Sequence, residues 1–372
     1  MQVFYEHNYI SNDSLVSSIR KDVSLQRYFT SDFGGIKTSS FCGSLKVGNS
    51  DILILPKISK SRDVNFKIFT YMILYSHDIK NRDIDSSTYH ENLLEVFIDI
   101  FSKSLLEIIN RNGLYKEYVS VQNENSFLKG KLILKDYILK RNVSSKILCE
   151  YDEFSANHKL NQFFTYTVRE LKKFSKNKLS LIKLEKIFSE VEPIYNEKIE
   201  FNHLNIRFKE NFNLAKFLLK HLTNKKIRNS ENFSFMFDMD LLFEDFIGKI
   251  FKEVANAKLQ EVGYFGNLKL TPDIVLDDLI VDLKYKIFKD EVKKEDKYQM
   301  YIYGNNFERK NTMLLYPKHF KNVETKLKLG NNEHGLNLFV RTIDLDSDSN
   351  YKEYISEIKK RIERILYDER LK

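Results

Sequence analysis

The spacing of apolar residues changes character near residue 60. Before it, the glycine-punctuated segment Asp32 to Gly48 leads into DILILPKI (Asp51 to Ile58), a continuous apolar run ended by Pro56. That is the pattern of a buried strand, so residues 1–60 read as a small β-rich unit. From Val64 the period becomes helical. NFKIFTYMILYSHDI predicts a first helix, and NLLEVFIDIFSKSLLEIINR (Asn92 to Arg111) predicts a long amphipathic one closed by Gly113. Strand-like segments follow around Tyr118 and over Phe127 to Leu134. Tyr151 to Phe174 supplies a turn, cap candidates at Ser155 and Asn157, and another long helix. Two more helical stretches cover Leu179 to Glu192 and Asn213 to Leu222.

The basic, polar run NKKIRNSEN (Asn224 to Asn232) is the linker candidate, although a solvated loop within one domain would look the same. It suggests a division into residues 1–225 and 226–372. After it, FDMDLLFEDFIGKIFKEV reads as a helix, Leu268 to Ile287 as a hairpin, and the segment carrying Gln299 as a helix. Strands at Asn311 to Tyr316 and Leu336 to Ile343 and a helix from Tyr351 to Tyr367 complete the chain. This order describes an α+β N-terminal domain followed by an α/β domain with a mixed central sheet.

Composition narrows the field. A net charge of +8 and a pI near 9.0 suit a phosphate-bearing partner, though Lys-rich composition alone would produce the same excess. Cys42 and Cys149, far apart and the only cysteines, rule out a disulfide framework or a zinc ribbon and fit a reducing cytoplasm. The start MQVFYEHNYI lacks the basic-then-apolar order of a signal peptide, and the longest apolar run, around Ile68 to Tyr75, is too short to span a bilayer. A cytoplasmic protein without membrane contact is expected. No HExxH or GxSxG occurs, which argues against zinc or serine-nucleophile chemistry. GGIKTSS (Gly34 to Ser40) has Ile36 where a phosphate loop needs glycine before Lys37, so no nucleotide site is expected there; it reads as a surface turn or a loop offered to a partner.

The hairpin holds the candidate chemistry. If the chain reverses at Asp277-Asp278, antiparallel pairing sets Asp273 opposite Asp282. Directly opposed side chains have Cβ atoms about 4.5–5.5 Å apart, where like charges repel. A hard divalent cation held by carboxylate oxygens relieves that repulsion. Lys284, two residues beyond Asp282, falls on the same face, while Val281, Leu283, Tyr285 and Ile287 point to the other. Phosphodiester hydrolysis needs such a metal and a positive charge beside the developing negative one. Glu244 on the preceding helix could complete the metal site, with its neighbour Asp245 the alternative, and the Leu283 carbonyl could add a ligand. Gln299 and Tyr303 share a helix face and could touch the metal shell or the DNA backbone. Lys286 is either a DNA contact or an ordinary surface lysine. One Asp-x-Lys triplet means little in a chain this rich in both residues. The weight lies in the ordered set.

That ordered set (TPDIV, IVDLKYK, then YQMYIYG) resembles the nuclease core of the McrC family, within the PD-(D/E)xK superfamily in its RecB-like Gln-x-x-x-Tyr variety. DILILPKI, FLKGKL and YDEFSANHKLNQFF are similar to the family's N-terminal half, with Gln162 standing where arginine would be expected. The resemblance implies a restriction endonuclease subunit of the McrBC kind, cutting double-stranded DNA with Mg²⁺ or, as a substitute, Mn²⁺. It implies catalytic Asp273, Asp282 and Lys284, with Glu244, Gln299 and Tyr303 completing the site and Asp273, Asp282 and Glu244 at the metal. It also implies a partner, an McrB-like AAA+ GTPase hexamer, engaged and stimulated through the N-terminal half. The alternatives are a stand-alone RecB-like repair nuclease and a non-cleaving adaptor that activates a partner NTPase.

Overall fold

In the computed structural model the strand Gln2–Tyr5 runs parallel to Ser50–Leu55, which pairs antiparallel with Phe41–Val47. The structure describes residues 1–23, 25–47, 50–79, 92–133, 146–223, 234–288, 291–319, 321–331 and 335–370. The fourth strand of this sheet comes from far along the chain: Ser234–Asp238 pairs with Phe41–Val47, setting Gly43 opposite Met236. Gly43 sits at φ +139°, and a Cβ there would lie 2.1 Å from the Phe235 carbonyl oxygen, so this close approach requires glycine.

That strand alters the division of the chain. Met1–Leu93 and Asn224–Lys372 form one compact unit and Leu94–Thr223 forms the other, which differs from the split expected at 225/226. The run Ser234–Asp238 abuts the following helix and merges with it in the hydrophobic pattern, so the pairing that ties the two chain ends together was not read. Helix packing adds to the tie. Arg62–Ser76 lies on Met239–Ala255, with Tyr75 and Phe246 edge to face at 5.5 Å. The proposed linker at 224–232 and the end of the strand-like segment at Leu134 lie outside the described residues.

The larger sheet of this unit is mixed, as expected. Its spatial order is Lys258–Leu259, Ile274–Val275, Leu279–Leu283, Asn311–Pro317, Leu336–Ile343 and Glu324–Leu329. The three central strands are parallel to one another and the outer pairings are antiparallel. On one face, Ile280, Leu314, Tyr316, Leu338 and Val340 pack against Met300 and Tyr303 of the helix Lys294–Asn306. The helices Met239–Ala255 and Tyr351–Arg370 pack on each other, with Phe246 and Tyr354 stacked at 6.2 Å. Asn350 and Glu353 form a reciprocal cap at the start of the last helix.

The second unit is helical with a small sheet. Leu93–Asn112, Lys159–Lys172, Leu179–Ile187 and Lys209–Thr223 share a phenylalanine core in which Phe163 meets Phe212 at 4.8 Å and Phe97 meets Phe217 at 5.4 Å. Gly113 ends the first of these helices in a left-handed conformation, as the sequence suggested. Glu117–Asn125 and Ile147–Ser155 form a long antiparallel pair joined by Lys131–Leu132. Ser155 and Asn157 do not cap the helix that follows. Ser155 Oγ accepts from the Asn157 amide, while Asn157 Oδ1 accepts from Gln162 Nε2 at 3.0 Å and from the Glu192 amide at 3.1 Å. Gln162 thereby has a loop-fastening role.

The pattern reading missed several elements, among them the helix Asp13–Lys21, capped by Asn12, and the strands Ile147–Ser155, Ser234–Asp238, Lys258–Leu259, Gly263–Phe265 and Glu324–Leu329. Gly34 to Ser40 is not a phosphate loop but part of a hairpin, with Phe29–Asp32 paired to Gly35–Thr38 and Lys37 ion-paired to Asp32 at 3.1 Å. No helix among the described residues is long and apolar enough to cross a membrane.

Glu6 follows the first strand and is only 1% exposed. Its Oε1 accepts from the Lys57 amide at 2.7 Å and the Tyr285 hydroxyl at 2.9 Å. Burial raises its pKa from 4.5 to about 7, against the lowering pull of those two donors. Between those values the folded chain holds a proton that the unfolded chain has released. Stability therefore falls as pH rises through this window, by about 3 kcal/mol in all, and the loss is complete above it. Glu6→Gln is expected to flatten this slope and raise the thermal midpoint at pH 8 relative to wild type. Melting curves at pH 5 and 8 check it; parallel slopes in both proteins would contradict it.

Candidate active site

The site is built on the β-turn between two short strands. The Leu276 amide donates to the Leu279 carbonyl at 2.8 Å, leaving Asp277 and Asp278 exposed at the tip. The paired residues are Ile274 opposite Val281 and Val275 opposite Ile280; carried one residue beyond this ladder, the register puts Asp273 level with Asp282. Asp273 is half-buried, and its Oδ2 accepts the Leu283 amide at 2.7 Å. Asp282 is 2% exposed. Burial, then the charge of Asp273, lifts the Asp282 carboxyl to about 6 against the pull of Lys284. Asp273 is also raised, by burial first, with the Leu283 amide and Lys284 opposing.

Lys284 lies on the same face, its Nζ 2.6 Å from Asp282 Oδ2 and 3.2 Å from Gln299 Oε1. Burial pulls its pKa down, but Asp282, Asp296 and Asp273 outweigh that and hold it above the ordinary lysine value. Val281, Leu283 and Tyr285 are buried as alternation requires, whereas Ile287, past the strand end, is exposed. On the helix Lys294–Asn306, Gln299 Nε2 donates to Asp282 Oδ1 at 3.2 Å and to the Tyr303 hydroxyl at 3.0 Å. The Tyr303 hydroxyl reaches the Thr271 carbonyl at 3.3 Å. Gln299 thus clamps carboxylate and ammonium together, and Tyr303 fixes the clamp.

Glu244 faces this cluster and Asp245 does not. Burial first, then the charges of Asp273, Asp282 and Asp240, raise Glu244 to about 7, with Lys284 opposing. Asp245 is exposed, and the charge acting on it is Lys249.

Two residues of the cluster were not anticipated. Asp240 is one turn before Glu244, at the exposed start of the helix. Desolvation first and then Asp238 hold it above its ordinary range, while Ser40, Lys284 and Lys286 pull it down. Asp296 is buried and ion-pairs with Lys286 at 2.6 Å, so Lys286 is part of the charge network. The i, i+4 spacing of Asp240 to Glu244 and the i, i+3 spacing of Asp296 to Gln299 were the available signals.

Among the described residues, no three histidine, cysteine or acidic side chains close into a ready-made metal cage. The donor chemistry nonetheless suits a hard divalent ion. Opposed carboxylates held above their ordinary pKa carry repulsion that such an ion relieves, and Mg²⁺ uses one or two carboxylates and fills its remaining positions with water and substrate phosphate. Asp273 and Asp282 fit that role, with Glu244 within their electrostatic reach.

The family described as McrBC 5-methylcytosine restriction system component matches residues 36–317. Among solved structures, a refined half-complex from a tetradecameric assembly of Thermococcus gammatolerans McrB AAA+ hexamers with bound McrC is similar. It has a TM-score of 0.69 and 23% identity, over 98% of this chain and 99% of that one, a likeness of fold. A cryo-EM structure of the McrBC complex from the same organism has a TM-score of 0.50 and 26% identity, over 70% of this chain and 89% of that one. No curated protein matches.

At pH 8 Glu244 is ionised against its burial and the neighbouring carboxylates, so Glu244→Gln is expected to raise the thermal midpoint of the protein in a chelating buffer by roughly 2–4 °C. Melting curves check this; a lower midpoint would mean that the Glu244 charge stabilises the site rather than straining it.

Proposed function

The chain belongs to the McrBC family, and from that premise we propose that it is the Mg²⁺-dependent endonuclease subunit of a restriction system, with a PD-(D/E)xK core. The observation that carries this reading is the Asp282–Lys284–Gln299 clamp facing Asp273 across the hairpin. Asp273 and Asp282 would hold the ion, with Glu244 alongside. When bound, that ion supplies the polarisation of the scissile phosphate and the lowered pKa of the attacking water.

The chain's own residues supply the rest. Lys284 presents a fixed positive charge where the transition state gathers negative charge, and its pairing with Asp282 holds it in place. Gln299 holds the two groups in register, and Tyr303 holds Gln299. Glu244 stands beside the two aspartates as the third acid of the site. Lys286, paired with Asp296, adds positive charge beside the substrate backbone.

The partner follows from the relatives. The Thermococcus gammatolerans structure is of McrB AAA+ hexamers with bound McrC, and we read this chain as the subunit that docks on, and stimulates, such a GTPase ring. The substrate is double-stranded DNA, delivered by the partner, and the setting is cytoplasmic.

Asp282→Ala and Lys284→Ala should each lower Mg²⁺-dependent cleavage by on the order of 100-fold or more in the presence of the partner. Circular dichroism should match wild type, and GTP hydrolysis by the ring should be unchanged. Equal cutting by all three proteins would overturn the site. Full cutting of free DNA ends without the partner would favour a stand-alone nuclease.

A further inference from the structure

Just past the strand Leu279–Leu283 the backbone turns sharply. The Lys284 amide donates to the Leu315 carbonyl at 3.0 Å, and the Lys286 amide donates back to the Lys284 carbonyl at 2.9 Å. Tyr285 is the corner of this three-residue turn. Its neighbours Lys284 and Lys286 both face the carboxylates, reaching Asp282 and Asp296 at 2.6 Å each. Tyr285 points the other way and is buried, its ring against Phe243 at 5.6 Å and His319 at 5.7 Å.

The Tyr285 hydroxyl donates to Glu6 Oε1 at 2.9 Å. Glu6 is itself held. Its amide donates to the Leu55 carbonyl at 2.9 Å within the N-terminal sheet, and its Oε1 also accepts the Lys57 amide at 2.7 Å. His319 Nδ1 lies 3.0 Å from the Lys57 carbonyl, which closes a ring of contacts Glu6, Lys57, His319, Tyr285. The second carboxyl oxygen, Oε2, is buried with no hydrogen-bond partner. A buried carboxyl is a costly means of holding a core together, since an apolar side chain of similar volume needs no desolvation. What an acid provides that an apolar residue cannot is a fixed acceptor for the Tyr285 hydroxyl.

We propose that Glu6 and Tyr285 form a positioning pair: the N-terminal sheet grips the corner residue and so sets where Lys284 and Lys286 stand over the carboxylates. The placement of the lysines is a property of this fold. Its consequence for cleavage rests on the nuclease reading above. Neither Glu6 nor Tyr285 touches substrate in this scheme; both act through the lysines. Residues 1–6, which carry little of the family resemblance, thereby become part of the site.

The test keeps these two layers apart. Reductive ¹³C-methylation of the full chain gives each lysine an NMR signal, and the Lys284 line is the one lost in Lys284→Arg. Tyr285→Phe keeps the ring and its packing and removes only the hydroxyl; melting curves verify that it folds. The Lys284 line should shift or broaden in Tyr285→Phe and in Glu6→Ala, and stay at its wild-type position in Glu6→Gln, whose side-chain oxygen can still accept both donors. Single-turnover cleavage with Mg²⁺ and the partner should fall about tenfold in the first two variants, at unchanged DNA affinity. An unmoved Lys284 line in Tyr285→Phe, or a Glu6→Gln as disturbed as Glu6→Ala, would overturn the positioning pair. A line that moves as expected while wild type itself does not cut would leave the pair standing and sink the nuclease reading.

Discussion

Asp273 and Asp282 come together at the open end of a tight hairpin, one half-buried and the other almost wholly so, with both carboxyls raised above their ordinary pKa. Left alone, such a pair would drive the strands apart or take up protons. The surrounding structure answers this repulsion with directed donors. The Leu283 amide binds Asp273, Lys284 and Gln299 bind Asp282, and Tyr303 fixes Gln299 against the Thr271 carbonyl. Most of these groups lie within a dozen or so residues of one another along the chain, so the cluster's chemistry is local even though its support is not.

That support comes from elements far apart in sequence. The central strand Leu279–Leu283 is braced by a parallel neighbour, Asn311–Pro317, and a helix on one face. On its other side, Phe243, His319 and Glu6 enclose Tyr285. Glu6 arrives from the opposite end of the chain because Ser234–Asp238 completes the N-terminal sheet. The first 93 residues therefore belong to the same compact unit as the candidate site. Stability and chemistry pull against each other here: the acids that make the site useful are the ones burial penalises.

The two unforeseen acids show how such a cluster outgrows its motif. Asp240 stands a turn before Glu244, and Asp296 a turn before Gln299, each brought in by helix geometry around a residue already singled out. Lys286, ambiguous as a lone surface lysine, acquires a partner in Asp296. The repulsion felt by Glu244 is the sum of several carboxylates from three elements, which no pairwise spacing along the chain expresses.

Local order was legible from the residues alone. The period-2 face of Asp282 and Lys284, the turn at Asp277-Asp278, and the helix pair Gln299 and Tyr303 all rest on interactions between near neighbours. Backbone geometry repeats with a fixed period, so residues a few positions apart have settled relations before the chain folds. The division of the chain, the strand at 234–238, and the grip of Glu6 on Tyr285 were decided only by tertiary structure. These pairings join residues separated by about two hundred positions or more, and hydrophobic patterning marks each strand as buried without saying against which strand it is buried.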